Sequence, residues 1–148
     1  IMEEIINDVR NYKIGEIQFD DDTLTVNKKN LFSLCKELEK VGVPWCTPNG
    51  TKVNYHQEKG FKVGGKQLEM YERMAGSGCY QISLACETGN QRTMDELIKK
   101  RLRIEAIKPA IENARNGGIG VVHVFLYWVT QEKVTKKWKL LENLQKVV

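Results

Sequence analysis

The chain has 148 residues, enough for one domain with a real hydrophobic core. Charged residues make up 28% and hydrophobic residues 41%, the balance of a soluble globular protein. A net charge of +4 without a clustered basic face argues against nucleic acid as a partner. No apolar run reaches the length of a membrane span and no secretory signal opens the chain, so a cytoplasmic protein with no membrane partner is expected.

Residues 2–12 carry Met2, Ile5, Ile6 and Val9 at helical spacing, with Glu3 and Glu4 near the positive end of the helix dipole. Gly15 ends that pattern. Residues 16–20 then alternate Ile17 and Phe19 against Gln18 and Asp20, which predicts a strand. The strand runs into Asp20, Asp21 and Asp22. Three adjacent carboxylates repel one another, so the run is either a solvated turn or a place where a cationic group is held.

A second helix begins at Asn27, with a stripe of Leu31, Leu34, Cys35, Leu38 and Val41, and Gly42 ends it. Residues 43–47 predict a short strand, followed by a turn at Pro48, Asn49 and Gly50. Residues 52–66 are irregular and read as a loop, with room for a brief hairpin at 61–63. Leu68, Tyr71, Met74 and Ala75 mark a third helix that stops at Gly76, Ser77 and Gly78.

Residues 80–91, a short strand running into a glycine turn, form the stretch around which the chain is organised. Gln81, Ser83, Ala85 and Glu87 alternate with Ile82, Leu84 and Cys86, so the first set shares a polar face. Glu87 closes the strand at its carboxyl end, the rim where parallel sheets hold ligands. Capping the next helix is an equally good use for it.

A helix through Met94, Leu97 and Ile98 follows, ending in the basic run KKRLR at 99–103, which reads as a solvated helix end. Ile104, Ile107, Ile111 and Ala114 mark another helix that ends at Gly117 and Gly118, with a kink or a start near Pro109. Residues 119–128 are the most apolar run and predict a strand covered on both faces. Residues 130–148 predict an amphipathic terminal helix with Val134, Trp138, Leu141, Leu144 and Val148 on one stripe.

The four cysteines, Cys35, Cys46, Cys79 and Cys86, lack the spacing of a zinc or iron–sulfur motif, so buried reduced thiols are expected and no metal site is assigned. His56 reads as a surface residue and His123 as a strand-packed one.

A helix followed by four strands, each with its own helix, implies an α/β fold with a parallel sheet. Four strands do not close an eight-stranded barrel, so the parallel βα repeats form half of a TIM-like partial barrel or an open sheet. One domain spans 1–148. Its two unpaired sheet edges predict a homodimer that uses the terminal helix or the last strand.

Several segments, in order, resemble the core of radical S-adenosylmethionine (SAM) enzymes, most nearly the group that also carries cobalamin-binding domains. They are EIQFDDDTLT at 16–25, PNGTKV at 48–53 and GCYQISLACETGNQ at 78–91, continued by LIKK at 97–100 and GIGV at 118–121. The resemblance implies strands two to five of a six-stranded partial barrel that binds SAM at a four-iron cluster and cleaves it to a radical. By the same resemblance, Asp20 and Asp21 approach the amino group of the SAM methionine moiety. Glu87 looks towards the ribose and carboxylate side, and Ser83 lines the pocket with Gln81. The strand at 119–125 then packs beside adenine.

This chain departs from that family at both ends. The cluster-binding CxxxCxxC loop belongs before residue 1, and YWVTQE at 127–132 stands where the family has a Gly-Phe-Pro-Gly-Glu-like turn. The resemblance therefore implies SAM and the cluster for the full-length family, not for this chain alone. Three functions follow as expectations. The first is a fragment of a radical SAM enzyme, inactive alone. The second is a free-standing non-enzymatic domain that binds a SAM-like ligand or a protein. The third is a small enzyme with a divalent metal at the acids from Asp20 to Asp22.

Overall fold

The computed structural model describes residues 2–21 and 24–127. Helix α1 (Met2–Asn11) leads into strand β1 (Ile17–Gln18), helix α2 (Lys28–Val41), strand β2 (Trp45–Thr51) and helix α3 (Gly65–Gly76). Strand β3 (Cys79–Glu87) is followed by the helical turn α4 (Gln91–Thr93), a π turn (Met94–Ile98), a 3-10 turn (Ile104–Ala106), helix α5 (Ile107–Asn116) and strand β4 (Val121–Leu126). The strands pair in sequence order, β1-β2-β3-β4, and every pair is parallel. This is an α/β fold of βα repeats, consistent with part of a barrel. The expected terminal helix at 130–148 lies outside the described residues.

Local chemistry sets the helix ends. The Asn27 side chain accepts from the Asn30 amide, and Gly42 closes α2 with φ +70° while its amide donates to the Leu38 carbonyl at 3.0 Å. At the start of α3 the Glu58 carboxylate accepts from the Lys66 amide at 3.2 Å, placing a negative charge on the positive end of the helix. Pro109 falls in the first turn of α5, where a missing N–H costs nothing, so the helix starts near it.

The helices pack in a row, α1 on α2, α2 on α3 and α3 on α5, and so form one layer. The buried stripes of α2, α3 and α5 meet Trp45, Ile82, Leu84 and Cys86 of the sheet in a single core that includes Leu31, Leu38, Met70 and Met74. Each such side chain contributes about 1.5–3 kcal/mol on burial. The Trp45 indole N–H is satisfied inside the core by the Ser77 carbonyl at 3.0 Å.

Three strands differ from expectation. β1 keeps only two paired residues, since the acids that follow leave the ladder after the Phe19 amide has donated to the Cys46 carbonyl at 2.9 Å. β2 runs through Pro48, Asn49 and Gly50 instead of turning there. A bulge between Thr47 and Gly50 absorbs two residues, so that Thr47 pairs with Ile82 and Gly50 with Ser83. A bulge tolerates proline because it asks for no ladder donor. β4 is not covered on both faces. It is the last strand in the order, and only Val122 and Val124 pack on the core, while Val121, Phe125 and Leu126 are exposed.

Residues 52–64 form no hairpin, and side chains from several elements tie the loop down. Gln67 Nε2 donates to the Val53 carbonyl at 2.8 Å and the Tyr55 carbonyl at 3.0 Å, while Gln67 Oε1 accepts from Asn113 Nδ2 at 2.8 Å. Asn113 Oδ1 accepts from the Gly64 amide at 2.6 Å. Gln57 donates to the Ala106 carbonyl at 2.7 Å, and the His56 ring meets the Thr25 carbonyl through Nε2 at 2.9 Å. His56 is thus a half-buried brace and not a free surface residue.

Candidate functional site at the carboxyl ends of the strands

The carboxyl ends of β1, β2 and β3 lie side by side, and three of the four site residues named from the sequence sit among them. Asp20 and Asp21 are exposed just past β1. Asn49 of β2 reaches across to them, its Nδ2 donating to the Asp20 carbonyl at 2.7 Å. Beside Asp21 an open crevice of about 320 Å³ is lined by Leu24, Asn27, Asn30 and Leu34, against the first turn of α2. Asp20, Ser83 and Glu87 do not line it. Asp20, Asp21 and Glu87 therefore share one end of the sheet without converging on one crevice, because β2 lies between the acids after β1 and the end of β3, while Ser83 sits in the middle of β3.

Ser83 does not line a solvated face. It is fully buried, paired in register with Gly50 on one side and His123 on the other. Its carbonyl accepts from Thr51 Oγ1 at 2.9 Å, yet its own Oγ has no hydrogen-bond partner among the described residues. An orphaned buried hydroxyl costs about 1–3 kcal/mol, so this position would gain from any ligand atom or water that met it. His123, expected to pack within the sheet, is exposed on β4.

Glu87 ends β3 in the left-handed region, φ +62°, where a non-glycine residue is uncommon. Its carboxylate does not cap the next helix. Asn90 does that, its Oδ1 accepting from the Thr93 amide at 2.9 Å. Glu87 Oε1 instead accepts from Lys100 Nζ at 2.5 Å, and the same ammonium donates to the Ala85 carbonyl at 3.0 Å. The run at 99–103 is therefore not simply a solvated helix end. Sequence reasoning misses Lys100 because nothing in KKRLR marks one lysine as turned inward. The left-handed Lys99, φ +56°, that redirects it carries no glycine signal either.

At the opposite end of the sheet Glu16 Oε1 accepts from the Tyr80 hydroxyl at 2.6 Å, the Cys46 thiol at 3.0 Å and Gln18 Nε2 at 3.2 Å. The Tyr80 hydroxyl bond, then the other two, hold the Glu16 carboxyl below its ordinary range. The cysteines do not suit a cluster. Cys35, Cys79 and Cys86 lie in the core between sheet and helices. Cys46, next in the strand to the core residue Trp45, points to the other face. Burial pushes all four thiols up, Cys46 to about 11 and Cys86 to about 12. Among the described residues no group of three or more His, Cys, Asp or Glu side chains is placed to hold a metal ion. The residues present thus do not fit a four-iron cluster. No helix among the described residues is long and apolar enough to cross a membrane.

No family model matches the chain. Over 126 residues, 85% of its length, it is 33% identical to the cytidylyl-2-hydroxyethylphosphonate methyltransferase of Streptomyces wedmorensis. The chain is similar to part of a methyltransferase. Over 136 residues, 90% of its length, it is also 26% identical to an uncharacterized methyltransferase of Pyrococcus horikoshii. It spans 22% of the first protein and 27% of the second, about a quarter of each.

Proposed function

We propose that this chain is the SAM-binding part of a radical SAM methyltransferase, a scaffold that does not turn over alone. The observation that carries the reading is the similarity to two methyltransferases over most of the chain, on a parallel sheet whose carboxyl rim bears Asp20, Asp21 and Glu87. The exposed acids after β1 suit an ammonium, as a zwitterionic amino-acid moiety would present. Glu87 and the buried Ser83 suit the hydroxyl-rich remainder of such a ligand. The cluster that supplies the radical chemistry belongs to the longer protein, since the thiols of this chain do not converge. The methyl acceptor is read by parts of that protein too.

Calorimetric titration of the full chain with SAM tests the reading. Binding should be measurable, and Asp20→Asn and Glu87→Gln should each weaken it, with the thermal midpoint of Asp20→Asn staying within a few degrees and that of Glu87→Gln falling because Lys100 loses its partner. A folded chain that takes up no SAM, or mutants with unchanged affinity, would count against it.

A further inference from the structure

We infer that Lys100 is the positioning residue of the Glu87 carboxylate, neutralising it and fixing one oxygen so that the end of β3 receives a ligand hydroxyl and not a cation. The inference rests on the reading of this rim as the ligand end of the sheet.

Several local departures from regular structure coincide at this pair. The helix after β3 widens into a π turn over Met94–Ile98, a form frequent at functional positions. Lys99 then turns back through the left-handed region, and the Lys100 amide closes on the Met94 carbonyl at 3.3 Å. Glu87 is left-handed as well, at the register shift where Ala85 pairs with Phe125 and Glu87 with Leu126. Non-glycine residues held in this region cost free energy and gather where a side chain must be aimed. Here they aim two side chains at each other.

The pair differs from the other ion pairs along this part of the chain. Arg92 with Glu96 and Lys108 with Glu112 are exposed helix pairs at i,i+4, and Arg103 with Glu105 is exposed as well. Glu87 and Lys100 are only 16% and 23% exposed, so their coupling is less screened, and loss of either leaves a half-buried charge. The ammonium is further tethered to the Ala85 carbonyl, which fixes where it can hold the acid.

The chemistry of recognition follows. A carboxylate with its charge compensated attracts a cation weakly but keeps its acceptor lone pairs. Lys100 occupies Oε1, and Oε2 has no hydrogen bond among the described residues. A neutral donor is the group that this arrangement fits. The exposed Asp20, which forms no ion pair among the described residues, is suited to the positive group of the same ligand.

The test titrates S-adenosylhomocysteine and its 2′,3′-dideoxy analogue into the full-chain wild type, Lys100→Met and Lys100→Arg. Lys100→Met should weaken S-adenosylhomocysteine at least tenfold, and Lys100→Arg should restore it to within about threefold. The dideoxy analogue should bind weakly and be insensitive to Lys100→Met. Unchanged affinity in Lys100→Met overturns the inference, and so does an equal loss for both ligands. If the wild type takes up no S-adenosylhomocysteine, the SAM reading fails separately, and ¹⁵N detection of the lysine ammonium groups decides for Lys100. A slowly exchanging Lys100 signal that Glu87→Gln abolishes supports the positioning, and its absence overturns it.

Discussion

Gly50 lies so close against Ala85 that a methyl group on it would sit 2.8 Å from the Ala85 Cβ and 3.2 Å from Phe125 Cδ2. The glycine of Pro48-Asn49-Gly50 is therefore not there for a turn. It gives β2 room beside β3 where the ladder resumes after the bulge, with Gly50 opposite Ser83. Gly50→Ala should cost about 1–3 kcal/mol through overpacking. Ala85→Gly in the same chain should recover part of that. Chemical denaturation of the single and double mutants measures both, and an additive double mutant would show that the two sites do not touch.

Gln67 and Asn113 form a second such pair, fully buried, and they hold the loop at 52–64 through the carbonyls of Val53 and Tyr55 and the amide of Gly64. Gln67→Leu keeps the volume but strands these polar groups. A loss of about 2–3 kcal/mol is expected, most of it from the orphaned partners. Hydrogen exchange should quicken in residues 52–64 before it does in β3. Uniform quickening would mean that the network supports the whole domain and not the loop.

Periodicity makes the βα order legible, because the stripes of α2, α3 and α5 and the alternation of Ile82, Leu84 and Cys86 each serve one buried face. It does not reveal where a strand stops. Pro48, Asn49 and Gly50 have turn chemistry but are carried into β2 by the bulge that relieves the missing proline donor. The apolar run at 121–126 has the composition of a central strand, yet among the described residues it pairs only with β3 and leaves Val121, Phe125 and Leu126 exposed. Composition cannot show that, since pairing depends on every other strand. For the rim, alternation identifies Glu87 at the end of β3, but not Lys100, whose approach depends on a π turn and a left-handed lysine. Alternation also puts Ser83 on a polar face, and the neighbouring strands then bury it.

Acid should loosen the far end of the sheet through Glu16. Its folded pKa is depressed below the ordinary 4.5, first by the Tyr80 hydroxyl, then by Cys46 and Gln18. A depressed carboxyl contributes stability that is present above the unfolded value and is lost as pH falls through the folded one. Tyr80→Phe removes the largest cause. The gap in melting temperature between wild type and Tyr80→Phe should be full above the ordinary carboxyl value of 4.5 and shrink as pH falls below it. A gap that is constant across this window would assign the effect of Tyr80 to packing alone.

The thiols give the last test. A thiol reacts as its thiolate, and at pH 8 a group titrating near 11 is ionised only to about one part in a thousand. Cys46 is raised to about 11 by burial and by Glu16, Cys86 to about 12 by burial, and Cys35 and Cys79 are raised by the same burial. All four are free and buried. Native protein should therefore leave a thiol reagent almost unconsumed at pH 8, and four equivalents should react on denaturation. Anaerobic reconstitution with iron and sulfide should likewise yield no stoichiometric four-iron cluster, because Cys46 faces away from the other three across the sheet. Fast native labelling of Cys46 would show that the Glu16 contact opens readily. A full cluster bound by Cys46, Cys79 and Cys86 would require β2 and β3 to separate, contrary to their pairing in the sheet.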